Sequence, residues 1–155
     1  MRTRICLPIC ITFVLIISNG CNGPLGSIAR HMDRVTNIYE DHLTHPAAGL
    51  TTLVTYLESN NAIVRASVDE LRKKLSDERS SANRLKLAVD IQQTLGERRE
   101  RLFQSRIAWQ KVAIIDPSTS EQIRNLGSVS VEENQMAFDA AISALFRDVN
   151  RLISR

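Results

Sequence analysis

Apolar side chains recur along this chain at steps of three and four residues, the spacing typical of amphipathic helices. The first such stripe consists of Ile28, Met32, Val35 and Tyr39. Ser27 is a suitable N-cap for it, and Pro46 prevents the helix from continuing. The pattern therefore predicts a first helix over roughly residues 27–43.

A second stripe starts at Leu50, with Pro46 in the first turn, is interrupted at Asn60–Asn61, and resumes in phase up to Leu75. One continuous helix with Asn61 on its buried seam would keep this phase. We expect a helix–helix connection at the Asn pair instead, because Asn tolerates the left-handed backbone and caps helices well. The segment before the pair is also a complete short amphipathic pattern.

The polar segment 76–84 contains neither Gly nor Pro, and apolar periodicity continues beyond it to Ile114. Residues 62–113 therefore form either one long helix or two helices joined near 76–83. Gly96 is a candidate weak point, because Gly costs on the order of 1 kcal/mol relative to Ala inside a helix.

Asp116–Pro117 interrupts the chain, where Asp116 can cap a following helix and Pro117 fits its first position. A capping-box pattern at Ser118 also predicts this short helix, which ends at Gly127. A second capping box at Ser130 opens a strongly amphipathic last helix. The whole chain contains only six Gly and four Pro, and no segment reads as a convincing strand. The predicted fold is all-α: an elongated helical bundle of about four to five helices, with a long central helix or a helical hairpin.

The first 21 residues follow a different pattern. Arg2 and Arg4 precede the apolar run 5–17, and small or polar residues then lead to Cys21. A helical run of this length extends about 20 Å, which is short of a bilayer core of about 30 Å. The segment fits an export signal better than a permanent span. We interpret residues 1–20 as a signal peptide.

Gly20 followed by Cys21 resembles the bacterial lipoprotein signal, in which the cysteine is lipidated and becomes N-terminal after cleavage. The resemblance implies a lipid anchor at Cys21. Residues 21–26 then read as a short flexible tether, and the apolar pattern places the helical domain over residues 27–155. Asn22 stands where an inner-membrane retention signal has Asp, which favours the outer membrane and a domain facing the periplasm. Ordinary signal cleavage after Gly20 and an uncleaved signal anchor remain alternatives.

Charge and cysteine content agree with this interpretation. The net charge of +3 falls to about +1 once Arg2 and Arg4 leave with the signal, since 18 Lys and Arg then face 17 Asp and Glu. A balanced charge gives no reason to expect nucleic acid as a partner. Cys21 is the single cysteine that remains, and acylation would use its otherwise unpaired thiol.

His42 and His45 are candidate metal ligands, because a spacing of three can place both rings on one side of a helix. Structural zinc prefers four ligands, and no cysteine or second histidine pair completes the set. The alternative is that both histidines favour a helix C-terminus through its dipole. A small-ligand or metal-binding module that uses His42 and His45 is therefore the second functional hypothesis.

A basic stretch is the other candidate site, as a face for an anionic partner. It comprises Arg98, Arg99, Arg101 and Arg106. The alternative is a solvated helix face on which Glu97 and Glu100 pair with the arginines.

Sequence motifs for catalysis are absent, including Gly-x-Ser-x-Gly, a phosphate-binding glycine loop and His-Glu-x-x-His. We therefore expect neither an enzyme nor a cofactor. The leading hypothesis is a lipid-anchored protein of the cell envelope that binds another envelope protein, associates with itself or serves as a structural component.

Overall fold

A computed structural model describes residues 23–125 and 129–154. Within these ranges the chain forms five α-helices and no strand, which confirms the predicted all-α bundle. The predicted signal peptide and Cys21 lie outside the described residues. The helices are α1 (Pro24–Asp41), α2 (Pro46–Asp77), α3 (Ser81–Ile115), α4 (Pro117–Asn125) and α5 (Val129–Ile153).

Helix α1 begins earlier than the sequence predicts. Gly23 is extended and precedes Pro24, whose ring fixes the backbone angle that a first helical residue requires. Leu25 then packs against the core, and Gly26 is buried. The predicted boundary between tether and helical domain at residue 27 is therefore too late, because residues 24–26 form the first turn of α1.

Helix α2 is continuous through Asn60–Asn61, so the expected connection at this pair is wrong. Asn61 is only 5% exposed, and its amide nitrogen donates to Asn134 Oδ1 on α5 at 2.8 Å. The Asn60 amide donates to the carbonyl oxygen of Tyr56 at 2.9 Å. Both amide nitrogens thus find acceptors without ending the helix.

The chain reverses at residues 78–80, so the two-helix alternative for residues 62–113 is correct. Ser80 caps α3 by accepting a hydrogen bond from the backbone of Asn83 at 3.3 Å. The Glu78 carboxylate accepts from the Ser80 backbone at 2.9 Å, and Arg84 Nε donates to the Glu78 carbonyl oxygen at 3.0 Å. Side-chain hydrogen bonds therefore stabilise a reversal that has neither Gly nor Pro.

Helix α3 runs for 35 residues, unbroken at Gly96, and ends at Asp116. The Asp116 carboxylate accepts hydrogen bonds from the Thr119 backbone at 2.8 Å and from Ser118 Oγ at 2.7 Å. These bonds lower the pKa of Asp116, the Thr119 side chain having the largest effect. Asp116 therefore caps α4 as predicted.

The four long helices form a square in cross-section. Helix α1 packs against α2 and α3, α5 packs against the same two helices, and α1 and α5 lie diagonally across the core. His31 stacks on Tyr56 and His42 touches Gly49, so α1 and α2 are antiparallel.

Helices α2 and α5 run parallel, because Asn61 pairs with Asn134 and Arg72 pairs with Asp148. The chain therefore crosses from α2 to α5 through α3 and α4. No helix of the described part of the chain is long and apolar enough to cross a membrane.

Candidate functional site

A groove opens on the surface between α3 and α5. It consists of two adjoining depressions of about 230 and 350 Å³ that share Arg99 and Phe103. Small residues help to leave this space open, Ser143 in the first depression and Gly96 in the second. We call it the α3–α5 groove.

The floor of the α3–α5 groove is apolar. Leu102, Phe138 and Ile142 are each no more than 4% exposed, and the buried Met32 of α1 also reaches the lining. Phe103 is 52% exposed, which is unusual for a large aromatic side chain. The groove thus combines a formed apolar floor with one accessible aromatic ring.

Arg99 supplies the positive charge of the groove. Its guanidinium carbon lies 4.9 Å from the centre of the Phe146 ring, a distance that allows a cation–π interaction. Among the described residues, Arg99 forms no ion pair with a carboxylate. Its charge therefore remains available to an anionic group.

Arg106 lines the same groove but is fully engaged. Its two terminal nitrogens contact the Asp139 carboxylate at 2.6 and 2.9 Å. With its amide oxygen turned inward, Gln135 accepts from Arg106 Nε at 3.1 Å and from the Tyr39 hydroxyl at 2.7 Å, so that both partners are satisfied. Burial lowers the pKa of Arg106, but Asp139 outweighs that effect and the pKa is raised overall. Arg106 therefore fastens α5 to α3.

Arg98 and Arg101 turn away from the groove toward α1. Arg98 Nε lies 3.1 Å from Asp33 Oδ2, and Arg101 forms two hydrogen bonds with Glu40 at 3.0 and 2.5 Å. Hydrogen bonds from Arg101 and then Ser105 lower the pKa of the Glu40 carboxyl.

The four predicted arginines therefore do not form a single anion-binding face. Two point to α1, and Arg99 and Arg106 line the groove. The expected ion pairs with Glu97 and Glu100 are replaced by pairs with acids on other helices, because packed helices bring those carboxylates closer.

The two candidate metal ligands lie in the α1–α2 connection rather than on one helical face. His42 follows the last residue of α1 and packs against Gly49, whereas His45 precedes Pro46 and is exposed. The described residues contain no group of three or more His, Cys, Asp or Glu side chains that could hold a metal ion.

His31 is a core residue that no predicted site includes, and it is only 2% exposed. Its ring lies 4.6 Å from the ring of Phe138 and 5.3 Å from that of Tyr56, and neither of its nitrogens has a hydrogen-bond partner. Its position three residues after Ile28 was the available signal. Because the ring meets no polar group, we assign His31 to packing.

Comparison of the chain with family models, curated proteins and solved structures finds no match.

Proposed function

We propose that this chain is a lipid-anchored protein of the bacterial cell envelope, facing the periplasm, that binds another protein through the α3–α5 groove. The observation that carries the binding role is the position of Arg99, whose charge is not paired with a carboxylate of the described residues, next to the exposed ring of Phe103 over an apolar floor. Aromatic and arginine side chains are the residue types that dominate binding energy at protein interfaces.

The chemistry of the groove suggests what kind of segment it binds. An amphipathic helix that presents aliphatic side chains to the floor and a carboxylate to Arg99 would complement both features. Glu100 lies on the side of the second depression, and a further acidic residue near it would be repelled. We therefore expect a partner helix with one acidic residue beside an apolar stripe.

A binding role is favoured over catalysis by the groups that line the groove. Asp139 is committed to Arg106, and Ser143 is a hydroxyl with no histidine among the lining side chains that could activate it. These side chains suit recognition better than proton transfer.

The anchor is tested by replacing Cys21 with Ser in the full chain. We expect loss of fatty-acid labelling and release of the protein from the membrane fraction, because acylation needs the thiol. The proposed anchor would be contradicted if the wild-type protein carried no fatty-acid label and Cys21→Ser left retention at the membrane unchanged.

The groove is tested by placing a photo-reactive amino acid at Phe103 in the anchored protein, with the exposed Arg65 of α2 as the control position. We expect one discrete protein adduct from position 103 only, reduced by Arg99→Glu and retained by Arg99→Lys. Identical adducts from both positions would contradict binding in the groove. An adduct with a second copy of this chain would show that the groove mediates self-association rather than binding to another protein.

A further inference from the structure

Helix α1 begins beside the middle of α2 rather than at an end of the bundle. His31 stacks on Tyr56, and the two helices are antiparallel. Moving back seven residues from His31 reaches Pro24, and moving forward seven residues from Tyr56 reaches Ile63. Because both helices rise about 1.5 Å per residue, Pro24 lies at the level of Ile63.

Helix α3 likewise places the start of α1 short of the end of the bundle. Asp33 of α1 pairs with Arg98 of α3. Further along α1, Glu40 contacts Arg101 and Ser105, which also lie further along α3, so the two helices run parallel. Moving back nine residues from this pair places Pro24 near residue 89 of α3. The chain that leads to Cys21 thus enters the bundle from its side.

The bundle extends well past this point of entry. From residue 63 to Asp77, and from Ser81 to residue 89, the helices continue for about 21 and about 12 Å. Cys21 lies only three residues before Pro24, and three residues span at most about 11 Å. The anchor is therefore too short to reach beyond the far tip of α2.

We propose that the anchored bundle lies on its side along the bilayer, with the outer face of α1 against anionic headgroups. This inference depends on the lipid anchor at Cys21 proposed above. A bundle standing on its tip would carry Asp77, Glu78 and Arg79 to the level of the lipidated cysteine, where charged side chains lose hydration.

The outer face of α1 has chemistry that suits this contact. Arg34 and Asn37 are exposed along its middle, and Asp41 is exposed at its C-terminal end. The two half-exposed carboxylates beside them, Asp33 and Glu40, are held by arginines of α3. Each arginine near an anionic membrane surface contributes about 1 kcal/mol of attraction.

An apolar side chain flanks the same face. Ile63 of α2 is 61% exposed and lies at the level where α1 begins. Such a side chain can enter the boundary between headgroups and acyl chains. Because α5 lies diagonally opposite α1, this orientation leaves the α3–α5 groove away from the bilayer.

The orientation is tested with nitroxide labels on the full lipidated protein, bound to vesicles of phosphatidylethanolamine and phosphatidylglycerol. Single cysteines replace Asn37 on α1, Ser80 at the tip and Ala140 on the exposed side of α5. Cys21 is acylated in this protein and takes no label. We expect collisions with a water-soluble nickel chelate to fall several-fold at position 37 and to remain high at 80 and 140.

Three other outcomes overturn the inference and are distinguishable. Protection at Ser80 with free access at Asn37 indicates an upright bundle. Equal access at all three positions, in protein that floats with the vesicles, indicates an anchored bundle without a preferred face. Protein that does not float with the vesicles shows that the anchor itself, and hence the proposed function, is wrong.

A variant that removes one charge from α1 tests whether attraction to anionic headgroups contributes to the orientation. Arg34→Gln is expected to weaken the protection at Asn37 on vesicles that contain phosphatidylglycerol. Arg147→Gln, an exposed arginine on α5, serves as the matched control and should leave it unchanged. Equal loss in both variants would show that overall charge, rather than the α1 face, holds the orientation.

Discussion

Burial places His31 in an environment that opposes its protonation and lowers its pKa from 6.5 to about 4. Above pH 6.5 the ring is neutral in both the folded and the unfolded chain, so its contribution to stability is constant. Between pH 6.5 and 4 the unfolded chain takes up the proton more readily. The free energy of unfolding should therefore decrease as the pH is lowered from 6.5 to 4, by about 3 kcal/mol in total.

Urea unfolding at several pH values measures this effect, with His31→Leu as the variant that cannot titrate. The stability of wild type relative to His31→Leu should decline from pH 6.5 to pH 4. The exposed His45→Gln is the control and should keep the wild-type slope. A slope in His31→Leu that equals that of wild type would show that other groups cause the pH dependence.

Two glycines should respond in opposite directions to replacement by Ala. A Cβ at Gly49 would lie 2.6 Å from His42 Cβ and 3.1 Å from Trp109 Nε1, so the α1–α2 contact must shift. A Cβ at Gly96 meets only the flexible end of Gln92, at 3.0 Å. Gly49→Ala should destabilise the fold by about 1–3 kcal/mol, and Gly96→Ala should stabilise it by up to about 1 kcal/mol.

Thermal unfolding of the two variants, followed by circular dichroism, checks this pair. Helix α3 passes through Gly96 unbroken, and the absence of a side chain there leaves space for the α3–α5 groove. A lower melting temperature for Gly96→Ala than for Gly49→Ala would show that helix propensity does not decide the outcome.

The reversal between α2 and α3 depends on the Ser80 side chain. Ser80→Ala removes the acceptor for the Asn83 backbone and should lower the free energy of unfolding by about 1 kcal/mol. Ser81 is the first residue of α3 and is exposed, so Ser81→Ala is a matched control with little expected effect. Chemical denaturation of both variants measures the difference, and equal losses would exclude a capping role.

At the scale of elements, the sequence predicts helices well where a local breaker is present. Pro46 and Pro117 each open a helix where predicted, because proline acts on its own turn. The Asn60–Asn61 pair misled the prediction because its decisive partner, Asn134, is 73 residues away from Asn61. A local window contains the capping tendency of asparagine but not the acceptor on another helix.

The candidate site was harder to predict than the fold. The predicted basic stretch on α3 includes Arg99, which lines the groove. The carboxylates that pair with the other three arginines of the stretch come from α1 and α5. Which arginine keeps its charge available depends on helix pairing, and no local pattern specifies that pairing. Helical spacing likewise failed for His42 and His45, because α1 ends between Asp41 and His42.

At the scale of the molecule, two ion pairs fasten α5 with different strengths. Arg106 is 18% exposed and holds Asp139, whereas Arg72 is 42% exposed and holds Asp148. Arg106→Gln leaves a half-buried carboxylate without its cation and should cost about 2 kcal/mol. Arg72→Gln removes an exposed pair and should cost less than about 1 kcal/mol. Equilibrium unfolding of the two variants compares these losses, and a larger loss for Arg72→Gln would contradict the ranking.

The parallel pairing of α2 with α5 also sets an order of assembly. Helices α1 and α2 meet across a short connection, but the contacts of α5 with α2 join residues 73 and 76 positions apart. Closing a longer loop costs more entropy, so we expect the first hairpin to form before α5 docks. Because α5 forms one wall of the α3–α5 groove, a chain synthesised from its N-terminus acquires this surface at the last step. Partly folded chains therefore lack the surface that we propose binds a partner.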